Sequence, residues 1–278
     1  MRIISTLITV ATLAYGYMWF SKNYPSVTDG TLTYISGKEQ VGIRPVYTPE
    51  QVLDRHANAL TRNGGIIAGD VEIVYIPVLL MNVKYADTFY TTGEGVLLFD
   101  LMDGEMVLNM NTYEKTHGLA DCLRSKASKH ECKVVSLMAK KGGQLGRESI
   151  RRGLRVDADL VDEWVDNCRQ KKLIVPSGNG YRLHMQNPKL PNCPVTYVDN
   201  PLTTFRSKRF TGKKAHFEKT HIPELCSAFF GTDFGIKNDE VAYLPIYRIN
   251  VEGLDKHITT LYFNSISGKP IPKDGINF

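Results

Sequence analysis

The chain has 278 residues, of which 42% are hydrophobic and 23% are charged, and its formal net charge is +5. These values exclude an intrinsically disordered chain, and the length is enough to bury roughly two or three small cores. The basic residues concentrate in residues 124–155 and 206–219. Each stretch is either a solvated face or a contact surface for phosphate, an acidic partner or anionic lipid.

The N-terminal segment from Ile3 to Phe20 carries no charge and is long enough to cross a membrane as a helix. Arg2 precedes it, and aromatic residues gather at its far end, where they favour the membrane interface. We predict a single-pass anchor over residues 1–22, a stalk over residues 23–47 and a periplasmic or extracellular body. Two alternatives stay open. One is a signal peptide cleaved at Ala14-Tyr15-Gly16; the other is a cytoplasmic body, because Lys22 follows the apolar run.

We predict a small domain over residues 48–116, in which one helix precedes an antiparallel meander. Thr48-Pro49-Glu50 is typical of a helix start, because Thr48 can cap the helix and Pro49 suits its first position. Three β-rich segments follow at residues 72–85, 91–101 and 105–110, and the last turn carries an Asp-Gly hairpin signal. We expect the helix to cover one face of this sheet, since three strands alone bury too little apolar surface.

We predict a different unit over residues 117–186. It has helical segments at residues 134–138, 148–154 and 158–171, followed by a hairpin that ends at Leu183. Over residues 133–184 this order resembles a winged helix, which implies a third helix that reads the major groove of DNA. Acidic residues on that helix oppose the role, because they repel phosphate: Asp157, Asp159, Asp162, Glu163 and Asp166. A protein-interaction role is therefore favoured, and nucleic acid binding is expected only if the body is cytoplasmic.

A basic linker over residues 187–215 leads to a second helix-meander domain over residues 216–278. Its helix is expected to begin at Ile222-Pro223-Glu224, and its strands to cover residues 240–251, 257–265 and the chain from Lys269 onward. The fold class is therefore α+β, with two helix-meander domains that flank a winged-helix-like insert.

The two helix-meander units share short motifs in one order. Tyr75-Ile76-Pro77 recurs as Tyr243-Leu244-Pro245 in the first predicted strand of each unit. Asp103-Gly104-Glu105 recurs as Ser267-Gly268-Lys269 at the final turn. This shared order predicts an internal duplication.

The two final hairpins carry a family resemblance. The stretches that begin at Phe99 and at Phe263 resemble the last hairpin of PepSY-like domains, where an acidic residue, two further residues and a Thr-Gly pair precede Lys or Glu. Asp103 and Ser267 replace the threonine, and Asn264 replaces the acid of the second copy. The resemblance implies an exported or membrane-attached binding module without catalytic activity.

The chain has five cysteines, which fit one or two disulfides with one thiol left over: Cys122, Cys132, Cys168, Cys193 and Cys226. We favour a bond between Cys122 and Cys132, and a bond between Cys122 and Cys226 is the alternative. Glu-Lys-Thr-His precedes both Cys122 and Cys226, so two His and two Cys could form a zinc site. The spacing does not match a known zinc motif, and a repeated helix start capped by Thr116 or Thr220 is favoured. We predict no metal and no cofactor.

No motif of a hydrolase elbow, a phosphate loop, a dinucleotide fold or a zinc peptidase occurs in the chain. The carboxylates of Asp100, Asp103 and Glu105 are expected to be solvated at their turn. We therefore predict a non-enzymatic, membrane-anchored structural or assembly subunit of a cell-envelope complex, whose partners are other protein subunits. The expected contact surface is a basic patch: Arg151, Arg152, Arg155, Arg206, Lys208, Arg209, Lys213 and Lys214.

Two further functions stay open. One is a membrane-tethered DNA-binding regulator that uses the winged-helix-like unit. The other is an inhibitor or chaperone of an exported protease, which rests on the PepSY-like resemblance alone.

Overall fold

The computed structural model describes residues 39–61, 64–86, 91–191, 193–231 and 233–272. The predicted anchor and all but the last residues of the stalk lie outside these ranges. Among the described helices, none has both the length and the apolar character needed to cross a membrane.

The fold is mixed α and β, as predicted. The helices are α1 (Pro49–Leu60), α2 (Leu119–Arg124), α3 (Lys129–Lys140), α4 (Arg147–Leu154), α5 (Ala158–Gln170) and α6 (Ile222–Phe230). The first strands are β1 (Gln40–Ile43), β2 (Ile66–Ile67), β3 (Glu72–Ala86), β4 (Thr92–Asp100), β5 (Glu105–Asn109), β6 (Glu114–Lys115) and β7 (Gln144–Leu145). The others are β8 (Ile174–Ser177), β9 (Gly180–Leu183), β10 (Thr204–Ser207), β11 (Phe234–Glu252), β12 (Ile258–Asn264) and β13 (Pro270–Ile271).

The start of α1 confirms the helix signal read from the sequence. The side chain of Thr48 accepts a hydrogen bond from the backbone N–H of Gln51, and the Gln51 side chain accepts one from the N–H of Thr48. This reciprocal pair satisfies two N–H groups that a helix start leaves without partners. At the start of α5, Asp157 occupies the N-cap position, but its side chain makes no capping hydrogen bond.

The strands of the two helix-meander units belong to one sheet. Within the described residues its order is β10-β1-β11-β3-β4-β5-β6, with β2 and β12 also paired to β11 and β13 paired to β12. The central pair, β3 and β11, is antiparallel and runs from Tyr75 opposite Pro245 to Tyr85 opposite Phe234. The two domains predicted at residues 48–116 and 216–278 thus share one sheet, because their first long strands pair with each other.

The two copies of the Tyr-x-Pro motif pair with each other. Ile76 lies opposite Leu244, and each proline lies opposite the tyrosine of the other copy. The two copies are therefore related by a local two-fold axis that passes through the sheet between Ile76 and Leu244. Proline normally avoids central strands because it has no N–H to donate. Here the carbonyl of Pro77 accepts a hydrogen bond from the N–H of Leu101 and therefore points away from β11. Because the nitrogen and the carbonyl of one strand residue point to the same side, the Pro77 nitrogen also points away from the central pair.

The final hairpins of the two copies have the same register and the same turn. Leu79 lies opposite Phe99 in the first copy, as Tyr247 lies opposite Phe263 in the second. At each turn a glycine N–H donates to the carbonyl at the end of the preceding strand, with N···O distances of 2.9 Å at Gly104 and 2.8 Å at Gly268. Both glycines have positive φ, a conformation that is strained for other residues. The repeat therefore extends from the sequence motifs to the backbone.

Helix α1 packs on the strands of the second copy, whereas we expected it to cover its own sheet. The backbone N–H of Tyr47, just before α1, donates to the carbonyl of Ser265 at 2.9 Å, and its ring packs on Gly268. Within α1, the ring of His56 lies 4.9 Å from the ring of Phe263, centroid to centroid. The buried residues of α1 share one apolar cluster with strands β11 and β12: Val52, Leu60, Tyr247, Ile249 and Phe263.

Helix α6 makes the reciprocal exchange. The backbone N–H of Phe217, just before the helix, donates to the carbonyl of Leu101 at 3.0 Å, and its ring packs on Gly104. The buried residues of α6 join the cluster that covers β3 and β4: Ile222, Leu225, Cys226 and Ala228 with Leu79, Met81, Leu97 and Phe99. Each helix thus joins an apolar cluster on the strands of the other copy, and α6 also contacts β11 of its own copy.

The central unit packs on the same sheet face as α6 and belongs to the same apolar cluster. Its helices α3, α4 and α5 lie at the predicted helical segments, and its hairpin is β8 and β9. Strand β7 joins the hairpin in a separate sheet of order β7-β9-β8. The opposite face of the main sheet holds a second cluster that includes Val78, Leu98 and Ile246.

The helix exchange predicts a specific energetic coupling. We expect His56→Ala and Phe263→Leu to be non-additive by about 0.5–3 kcal/mol in the free energy of unfolding, because the two rings touch. Denaturant unfolding of the single and double variants measures this coupling. Phe99→Leu, at the equivalent position of the first copy, is the matched control. It should combine additively with His56→Ala, and a coupling to Phe99 instead of Phe263 would contradict the exchange.

Candidate partner-binding site

The residues of the predicted basic patch lie on separate elements. Arg151 and Arg152 lie on α4, where both pair with Glu148, and Arg155 follows the helix in a left-handed conformation. The other five residues of the patch lie on β10 and in the segment that follows it: Arg206, Lys208, Arg209, Lys213 and Lys214. The predicted basic patch is therefore divided between two different parts of the fold.

The segment after β10 crosses the local two-fold axis, and we call residues 208–214 the strap. The Phe210 ring stacks on Tyr75 at 4.3 Å between centroids and meets Tyr243 edge-on at 5.8 Å. The backbone N–H of Lys213 donates to the carbonyl of Tyr75 at 2.8 Å. One phenylalanine thus covers the tyrosines of both motifs, and the basic side chains Lys208 and Arg209 lie exposed beside it.

The carboxylates at the first hairpin turn are buried, and the expectation that they are solvated is wrong. The carboxylate of Asp100 accepts hydrogen bonds from the Tyr113 hydroxyl at 2.9 Å and from the Lys115 ammonium at 3.1 Å. Lys115 also pairs with Asp103, and its side chain is 7% exposed. These groups form a buried charge cluster of two carboxylates, one ammonium and one phenol.

Burial and the negative charge of Asp100 raise the pKa of Asp103 to about 6, even though Lys115 opposes the shift. Burial disfavours the ammonium of Lys115, but both carboxylates outweigh this effect and raise its pKa. Burial, followed by the charge of Asp100, raises the pKa of Tyr113 well above its ordinary value. Lys115 therefore stays charged, and Asp103 binds a proton more tightly than an ordinary aspartate does.

The third carboxylate, Glu105, stabilises the start of α2. It accepts hydrogen bonds from the hydroxyl of Thr116 and from the backbone N–H groups of Gly118, Leu119 and Ala120. Thr116 was predicted to cap this helix, but Gly118 holds the N-cap position and Glu105 receives the N–H groups instead. A cleft of about 860 Å³ opens beside these residues. In its lining, Asp103 pairs with Lys115 and Glu105 is satisfied by the hydroxyl and N–H donors, so these groups act in stability.

The second hairpin turn has different side chains because its surroundings differ. Where Asp100 faces two donors, Asn264 directs its amide N–H at the carbonyl of Met110. Ser267, at the position of Asp103, donates its hydroxyl to the carbonyl of Asn111 at 2.7 Å. An amide and a hydroxyl can donate, whereas an ionised carboxylate cannot. The side chains that differ between the two turns therefore follow from their carbonyl partners.

A group of large apolar side chains is exposed at the far end of β11, and we call Ile66, Leu254 and Ile258 the apolar tip. Their exposed fractions are 69%, 83% and 56%. Ile66 and Ile258 lie on strands either side of β11, both opposite Glu252, and Leu254 occupies the turn between β11 and β12. Exposed apolar side chains that cluster in this way mark contact surfaces for other molecules.

The first copy shows that the fold does not require an apolar tip. In the first hairpin, Lys84 lies opposite Glu94. The equivalent residues of the second hairpin, Glu252 and Ile258, also lie opposite each other. Lys84 and Glu94 form an ion pair at 3.2 Å, and Lys237 also pairs with Glu94. The position of Glu94 in the first copy is therefore held by Ile258 in the second, whereas the position of Lys84 is held by another charged residue, Glu252.

Sequence reasoning did not select the apolar tip. Leucine in the turn Gly253-Leu254-Asp255 was the available signal, because turns normally carry small or polar residues. Ile66 and Ile258 give no such signal, since isoleucine is common in strands whether buried or exposed.

Among the residues that the structure describes, no three His, Cys, Asp or Glu side chains are arranged to hold a metal ion. The comparisons with known proteins found no match to the chain among family models, curated proteins or solved structures.

The buried charge cluster predicts an asymmetric response to loss of a lysine. We expect Lys115→Met to lower the free energy of unfolding by about 3–5 kcal/mol, because it leaves two buried carboxylates without a counter-charge. Lys189→Met is the matched control. It removes an exposed pair with Glu114 and should cost about 1 kcal/mol or less. Equal losses in denaturant titrations of the two variants would show that the cluster does not depend on Lys115.

The raised pKa of Asp103 predicts a pH dependence of stability. The folded chain binds this proton more tightly than the unfolded chain, because the ordinary value is 3.8 and the folded value is about 6. The resulting stabilisation is complete below about pH 4 and is lost as the pH rises through about 6. Between these values we expect the wild-type chain to lose up to about 3 kcal/mol relative to Asp103→Asn. Unfolding titrations at both pH values test this, and parallel curves for the two proteins would contradict the shift.

Proposed function

We propose that the protein is a non-enzymatic assembly subunit that binds another protein through the apolar tip. The observation that carries this proposal is the contrast between the ends of the two copies. Exposed isoleucine and leucine side chains lower solubility, and at the position of Ile258 the first copy instead has Glu94, which forms an ion pair with Lys84. A partner that covers the tip explains why the second copy keeps apolar side chains there.

The N-terminal sequence supports a position at a membrane. The uncharged segment from Ile3 to Phe20 is suited to anchor the chain, and we propose that the body lies on the periplasmic or extracellular side. An anchor confines the body to a thin layer at the membrane and so raises its effective concentration near membrane-bound partners. A weak contact at a small tip is then sufficient for assembly.

The alternative of a DNA-binding regulator has less support. The exposed face of α5 carries Asp159, Glu163 and Asp166, which would meet phosphate in the major groove. Arg147 and Arg169 neutralise acidic residues of this helix by pairing with Asp162 and Asp166. The exposed surface of α5 is better suited to a basic protein than to a duplex. Inhibition of an exported protease keeps only the PepSY-like resemblance in its favour.

Site-specific photo-cross-linking in the cells that make the protein tests the proposal. A photoreactive phenylalanine analogue replaces Leu254 or Ile258, and matched controls place it at Lys84 or Glu94 in the first copy. We expect the positions in the apolar tip to form an adduct with a second protein, and the control positions to form none. Ile66→Asp should abolish the adduct at position 254, because a charge cannot enter an apolar contact.

An adduct from both ends of the sheet, or from neither, would contradict binding at the apolar tip. An adduct with the mass of two copies of this chain would identify self-association and would replace the assembly role with a homo-oligomer.

A further inference from the structure

Three of the five cysteines converge in one part of the core. Cys122 lies on α2, Cys132 in the first turns of α3 and Cys168 on α5, and all three are at most 1% exposed. They belong to one apolar cluster. Among the described cysteines only Cys193 is exposed, and Cys226 is buried on α6.

The turn between α2 and α3 brings Cys122 and Cys132 together. The backbone N–H of Ala127 donates to the carbonyl of Cys122 at 2.9 Å, and the thiol of Cys132 donates to the carbonyl of Ala127 at 3.8 Å. Ser128 starts α3 with a capping box to Glu131, which sets the direction of the helix immediately after the turn. Both cysteines are thereby held against the same residue of one short turn.

Cys168 lies near Cys132 but is hydrogen-bonded to the backbone rather than to another thiol. Its thiol donates to the carbonyl of Glu131 at 3.8 Å, so its hydrogen is directed at the backbone of α3. The thiol of Cys122, by contrast, is hydrogen-bonded to Cys132, and this bond together with burial raises the pKa of Cys122 well above its ordinary value. Cys122 and Cys132 are therefore the two cysteines of the cluster whose thiols are in contact.

These surroundings decide when the pair can react. The thiolate is the species that attacks a disulfide, and burial opposes its formation. In the folded chain an oxidant also has to reach two side chains that have almost no exposed surface. Oxidation must therefore occur while the chain folds, and the finished bond is protected from reductants in the folded protein.

We propose that Cys122 and Cys132 form an intramolecular disulfide that links α2 to α3 and closes during folding in an oxidising compartment. The oxidant is a disulfide, either in an exported thiol oxidoreductase or in oxidised glutathione. One cysteine thiolate attacks a sulfur of this disulfide and releases its first thiol. The second cysteine then attacks the mixed disulfide and releases the second thiol. The two cysteine sulfurs are oxidised, the reagent is reduced to two thiols, and the cysteine protons pass to those thiols.

The test uses the full-length chain, folded in detergent with reduced and oxidised glutathione. The product is denatured without reductant, alkylated with maleimide and weighed intact. We expect three of the five cysteines to be modified and two to be protected, with the protected pair mapped to Cys122 and Cys132 in a proteolytic digest. In the variants Cys122→Ser and Cys132→Ser all remaining cysteines should be alkylated. The matched control Cys168→Ser should keep the protected pair.

Alkylation of all five cysteines in the wild-type chain, or a bond that maps to Cys168 or Cys226, would overturn the proposal. If the serine variants fail to fold, the digest of the wild-type chain still decides the question. A second measurement adds reductant to the oxidised chain before denaturation. We expect the bond to survive in the folded protein and to be lost when urea is present. Either result is independent of whether the apolar tip binds a partner.

Discussion

The antiparallel pairing of β3 with β11 is the constraint on which the rest of the structure depends. It joins two copies of one hairpin about an axis between Ile76 and Leu244, and it makes their strands a single sheet. Because the axis passes through the sheet, equivalent residues of the two copies face the same side, so both helices lie on one face. The Phe210 ring covers the tyrosines beside the axis, which leaves the symmetric centre closed by an element that only one copy has.

The exchange of helices makes the two copies interdependent. Each segment before a helix binds the turn of the other copy through backbone hydrogen bonds, at Ser265 for the first and at Leu101 for the second. An open apolar sheet face would cost more free energy than a folded domain normally has in reserve. We therefore expect the loss of either helix to destabilise the sheet of the other copy. The two copies differ at their ends. The ion pair of Lys84 and Glu94 in the first copy occupies the positions that Glu252 and Ile258 hold in the second.

Several local features could be predicted from the sequence, because their causes are close in the chain. The capping box of Thr48 and Gln51 and the glycine turns each depend on a few consecutive residues. The burial of Asp100 and Asp103 could not be predicted, since it depends on Tyr113 and Lys115, which a separate loop brings back to the turn. The apolar tip was missed for a similar reason. A strand isoleucine is exposed or buried according to what packs beside it, and the pattern of the strand does not show this.

The sequence by itself determined the α+β class, the duplicated motifs and the chemical types available at each turn, because propensity and periodicity act between neighbouring residues. Only the tertiary structure decided which helix covers which sheet and which carboxylates are buried. It also decided which cysteines meet and which apolar residues remain in water. Contacts between residues far apart in the chain settle these matters. Helix α1 lies on the second copy because the segment before it binds Ser265 and its apolar face meets Tyr247 and Phe263, contacts that the local sequence of α1 does not show.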